Sequence, residues 1–169
     1  MALIKLNNQS LTNVSALPAG VGGKVLQVVQ GTPPSSQYSQ TSTSLLDATG
    51  FTASITPQSI NSKILVMFTG RIDNTSSGNV NNRGSIVLLR GTTVIQRQFV
   101  GTYYGDGSPN NRNTYDSVSL TGLDSPATTS QVTYKIQLAS AATSNSITIE
   151  GTPTSTDIFS SFVLTEIAG

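Results

Sequence analysis

From residue 24 onward the chain alternates short apolar runs with turn-forming residues, a spacing that fits strands. The cleanest case is 132–138, where Val132, Tyr134, Ile136 and Leu138 share one face and Thr133, Lys135 and Gln137 the other. A period of two residues marks a half-buried strand with a wet outer face. Residues 25–30 form the first run, and 44–46 and 52–55 follow with the turn-forming Thr49-Gly50 between them. The stretch 63–69 is almost continuously apolar, which predicts a central strand covered on both faces. Residues 85–89 lead through Arg90-Gly91-Thr92-Thr93 into 94–100, the pattern of a hairpin with a glycine-containing turn. Further strands are predicted at 117–123, around Ile147 and Ile149, and at 159–167. No stretch of ten residues carries convincing helical periodicity.

Two polar segments rich in glycine and asparagine, 73–84 and 105–114, interrupt the strands and are predicted to project as loops. Roughly eight to ten short strands joined in this way predict an all-β chain, an antiparallel β-sandwich or jelly roll. That head is assigned to 24–169. Residues 1–23 read differently: Leu3, Ile4, Leu6 and Leu11 are separated by polar residues, and Pro18, Gly20, Gly22 and Gly23 break any continuing element. A helix of about 12 residues would be marginal there. The segment is predicted to be an extended arm with apolar pegs, ending in a hinge.

The 169 residues suit one domain with a real core. Only 10 % are charged, against about 25 % in an ordinary globular chain. The apolar residues nevertheless come in β-branched runs, which disordered chains lack. A formal net charge of +1 with scattered basic residues predicts neither a nucleic-acid partner nor an anionic membrane partner. Residues 1–9 carry no signal-peptide pattern, and no window approaches the length of a membrane-spanning helix, so synthesis in a cytoplasm is expected.

Cysteine and histidine are both absent, which removes thiolate chemistry, Ser-His-Asp catalysis and the common transition-metal ligands. The expectation is a protein that is no enzyme and holds no cofactor or metal. Paired carboxylates stay conceivable, but Asp106-Gly107 and Asp124-Ser125-Pro126 read as turns capped by their own aspartates. The run Asp73-Asn74-Thr75-Ser76-Ser77-Gly78 lacks the closing glutamate of a calcium loop. Aromatic residues give the better lead. Tyr103 and Tyr104 precede the second polar segment and Tyr115 follows it, with Asp106, Asn110 and Arg112 between them. Rings beside hydrogen-bonding side chains suit sugar stacking or a protein interface. The plainer reading divides Tyr103 and Tyr104 between core and surface and lets Tyr115 open the next strand.

Several stretches in order resemble a known family. They are M-A-L-I-K-L-N-N-Q-S-L at the start, G-K-V-L-Q-V-V-Q at 23–30, S-T-S-L-L-D-A-T-G-F-T-A-S-I-T-P at 42–57, S-K-I-L-V at 62–66, L-L-R-G-T-T at 88–93 and L-D-S-P-A-T-T-S-Q-V-T-Y-K-I-Q at 123–137. The set resembles virion proteins of tailed bacteriophages, cyanophages included, described as tail-fibre-like or minor structural proteins. The resemblance implies a component of the particle surface with a β-sandwich head that forms a homotrimer. It carries no catalytic motif. Two roles fit. In the first, a capsid decoration or cement protein lays Leu3, Ile4, Leu6 and Leu11 against the major capsid protein or another virion protein. In the second, a tail-fibre or receptor-binding knob contacts host surface polysaccharide through Tyr103, Tyr104, Asp106, Asn110 and Arg112.

Overall fold

A computed structural model describes residues 24–77, 81–103, 112–151 and 160–169. They form ten strands: β1 (Val25–Gly31), β2 (Tyr38–Gln40), β3 (Leu46–Ile55), β4 (Lys63–Ser76), β5 (Asn81–Arg90), β6 (Thr93–Tyr103), β7 (Arg112–Asp124), β8 (Val132–Ser140), β9 (Asn145–Ile149) and β10 (Ser160–Ile167). No helix occurs among the described residues. Every pairing is antiparallel. One layer runs β1-β10-β4-β7 and the other β3-β8-β5-β6. The chain changes layer between β2 and β3, β3 and β4, β4 and β5, β6 and β7, β7 and β8, and β8 and β9. The two antiparallel sheets pack face to face as a β-sandwich.

The fourteen residues of β4 organise the first layer. Its first half, from Lys63 to Gly70, pairs with β10, and its second, from Ile72 to Ser76, pairs on the same edge with β9. Strand β7 covers the other edge along the whole length. β9 and β10 therefore lie end to end, and β2 extends the layer beyond β9.

Alternation places the core between the layers. Ile64, Val66, Phe68 and Ile72 of β4 join Leu120, Phe162 and Leu164, facing Phe51, Ile55, Leu88, Tyr134, Ile136 and Leu138. Phe68 and Phe162 meet edge to face, with ring centroids 5.4 Å apart. At about 25 cal/mol per Å² of buried apolar surface, this two-sided cluster is the main source of stability.

Four details differ from the sequence expectations. The strand buried on both faces is β5, where Ile86, Val87, Leu88 and Leu89 are all buried, and not 63–69, where Met67 is 41 % exposed. The runs 44–46 and 52–55 join into the single strand β3, whose register shifts between Asp47 and Thr52. Gly50 sits in that irregularity at φ +86°, a conformation glycine adopts without penalty. The expected loop 73–84 is mostly strand, because β4 continues to Ser76 and β5 begins at Asn81. Ladders on both edges there outweigh the low strand propensity of Asp73 and Asn74.

Candidate interaction faces

Leu3, Ile4, Leu6, Leu11, Tyr104, Asp106 and Asn110 lie outside the described residues. Arg112 opens β7, where its backbone is opposite Ser76. Tyr103 closes β6 opposite Asn81 and is 58 % exposed. The guanidinium of Arg83 lies over its ring, 5.5 Å from the centroid, and donates from Nε to Asn81 Oδ1 at 2.8 Å. A shallow groove of about 430 Å³ lies alongside, lined by Asn81, Arg83, Ser85, Phe99 and Ser140. Phe99 is 74 % exposed.

Tyr103 and Tyr115, grouped by sequence, are not brought together. Tyr103 follows the parity of Phe99 and projects from the outer face of the second layer. Tyr115 pairs opposite Asp73 and projects from the outer face of the first. Strands β6 and β7 lie in different layers, so residues close along the chain end on opposite sides of the molecule.

The outer face of the first layer has two characters. Its lower half carries Val25 and Val28 of β1, Leu65 and Met67 of β4, Leu123 of β7, and Val163 and Ile167 of β10. Register sets these side by side: Val28 is opposite Thr165, which is opposite Leu65, which is opposite Leu123. Val25, Val28 and Leu123 are each more than half exposed. The aliphatic sequence signal was visible in all of these residues, but their outward direction depends on pairing.

The upper half is polar. Arg71 Nε donates to Asp73 Oδ1 at 3.1 Å, and the guanidinium stacks over Tyr115, 4.7 Å from the ring centroid. Glu150 stands beside Asp73. Burial first, and then the hydrogen bond and negative charge of Asp73, push the Glu150 carboxyl above the usual carboxylate range, while Arg71 opposes them. This cluster was missed in the sequence because its members come from β4, β7 and the end of β9.

One other ionic group serves the fold. Asp124 is not a turn cap: it is buried at the end of β7, where it accepts from Arg90 Nε at 2.5 Å and from the Tyr134 hydroxyl at 2.8 Å. Burial and the Asp124 carboxylate push the Tyr134 phenol far above its ordinary value, so it stays a neutral donor. Asp73, expected in a loop, is a residue of β4 paired with Arg71. Among the described residues no three acidic side chains converge as a metal site would need.

No protein-family model and no curated protein matches the sequence. Among solved structures, the dimeric latent PorU of Porphyromonas gingivalis is 10 % identical over 87 % of this chain, with a TM-score of 0.35. This chain spans 14 % of that protein's length.

Proposed function

We propose that the chain is a structural component of a tailed-bacteriophage virion, a capsid decoration protein whose residues 1–23 anchor it to the particle and whose sandwich head trimerises. One observation carries the reading: the aliphatic half of the β1-β10-β4-β7 face, with Val28 62 % and Leu123 56 % exposed. An outward surface this rich in exposed aliphatic side chains, interspersed with Thr165 and Lys63, marks a protein contact. The ordered sequence resemblance supplies the setting. Residues 1–23 precede Lys24, which is next to Val25 at the edge of that surface.

A variant lacking 2–22 tests the proposal. It is expected to fold and to run as a trimer by light scattering, yet to be missing from purified particles; incorporation at the normal level would overturn the anchoring role. A second reading, a fibre knob that contacts host polysaccharide, is favoured by the Arg83 guanidinium stacked on exposed Tyr103. It predicts that Tyr103→Ala particles assemble normally but adsorb poorly to host cells; undiminished adsorption would remove it.

A further inference from the structure

At Gly70 the outer face of the first layer changes from aliphatic to polar. The end-to-end strands part there: Ser160 of β10 is opposite Gly70, and Ile149 of β9 is opposite Ile72. A groove of about 470 Å³ follows the break, lined by the hydroxyl groups of Thr69, Ser117, Ser119 and Ser161 and closed at one side by Arg71. Beyond Arg71 stand Tyr115, Asp73 and Glu150.

The chemistry of these groups selects a class of ligand. Arg71 is already held by Asp73 through Nε at 3.1 Å and Nη2 at 3.4 Å, so its charge is balanced, and an incoming anion would also face Glu150. A cation would have to compete with Arg71 for Asp73. What the surface offers is mixed hydrogen bonding: a planar guanidinium that donates, carboxyl oxygens that accept and hydroxyls that do both. Beside them lies a tyrosine ring that is 60 % exposed and lends itself to stacking. A molecule with adjacent hydroxyls on its rim and a C–H face matches each of these. Burial, and then the contact with Asp73, hold the Glu150 carboxyl above the usual carboxylate range, and groups perturbed in this way concentrate where side chains serve binding.

We infer that this groove binds a neutral saccharide, with one pyranose ring against Tyr115, its vicinal hydroxyls along the outer edge of the Asp73–Arg71 pair, and the next sugar along the serine-lined groove. The site needs neither reading given above, and it lies on the opposite layer from Tyr103. A saccharide held here sits beside the aliphatic half, so both surfaces share one face of the head.

The test is a titration of the ¹⁵N-labelled full chain with neutral hexasaccharides of glucose in α and β linkage, of mannose, of galactose and of N-acetylglucosamine. At least one is expected to give saturable shifts confined to amides of 69–73, 115–119 and 148–150. Tyr115→Ala should weaken that binding about tenfold or more, the equivalent of one lost stacking contact. Tyr115→Phe should retain it. Ser119→Trp fills the groove and should abolish it, while Tyr103→Ala should change nothing. Absence of saturable shifts with all five sugars would overturn the inference. So would binding that survives both Tyr115→Ala and Ser119→Trp, or a stronger response to an oligogalacturonate than to every neutral sugar.

Discussion

Glu166 has no access to solvent, yet its carboxylate is well provided for. Oε2 accepts from Gln27 Nε2 at 2.6 Å and Oε1 from the Gln58 amide at 2.7 Å, while Gln27 also donates to the Thr56 carbonyl at 2.8 Å. One carboxylate thus ties β10 to β1 and to the connection between β3 and β4. Burial by itself would raise its pKa, but the Ser62 hydroxyl, the Gln27 amide and the backbone of Gln58 and Ser59 outweigh that and hold it below the usual range. The folded state therefore favours the charged form. Its contribution is full above the unfolded-state value of about 4.3 and is lost as pH falls through the lower folded value. Glu166→Gln should cost about 2–3 kcal/mol at pH 7, since a charge-assisted set of bonds is replaced by a neutral amide that must turn one donor toward the Gln27 donor. The gap between variant and parent should close steadily below about pH 4. Urea unfolding at pH 7 and at pH 3 checks both; a gap that is unchanged with pH would show that the carboxylate is not ionised in the fold.

Where β6 meets β7, the two layers are joined by backbone as well as by side chains. Gly101 stands at φ +87°, its amide donates to Asp116 Oδ2 at 2.8 Å, and a Cβ there would collide with the Asn82 carbonyl. Gly101→Ala combines left-handed strain with that collision and should cost about 2–3 kcal/mol, lowering Tm by several degrees in a chain of this size. A variant with unchanged Tm would mean that the corner relaxes freely. None of this could be read from the local sequence, which shows only a glycine beside a valine. What was legible is what depends on period: β8, whose alternation from Val132 to Leu138 survives as a buried and a wet face, and the Gly91 hairpin between β5 and β6. What was not legible depends on partners. Three-residue β2 exists because β9 is there to pair with it. Asp73 and Asn74 are strand residues because β7 and β9 flank them. The candidate site followed the same rule: exposed tyrosines were visible in the sequence, but the assignment of Tyr103 and Tyr115 to opposite faces came only with the topology.

The whole molecule offers two outer faces of different composition, and the difference predicts which one assembles. Sheets in a sandwich satisfy their inner faces against each other, so an aliphatic outer face has no partner within the head. The first layer presents Val25, Val28, Met67 and Leu123 to solvent, together with half-buried Leu65, Val163 and Ile167. The second layer presents Phe99 and Val94 among Arg83, Arg97, Gln137 and the Lys135–Asp47 ion pair at 2.8 Å. A protein with only 10 % charged residues has little electrostatic repulsion with which to keep such a face apart from its own copies. The double variant Val28→Asp with Leu123→Asp places carboxylates at positions already open to water, so the isolated head should unfold within about 2 °C of the parent. In an assembly the same carboxylates would be buried without a partner, at a cost of several kcal/mol per interface. Light scattering should therefore report the parent as an oligomer and the double variant as a monomer at equal concentration, while Phe99→Asp on the other layer keeps the parent mass. If Phe99→Asp dissociates the protein and the double variant does not, assembly runs through the second layer and the aliphatic face is reserved for a different partner.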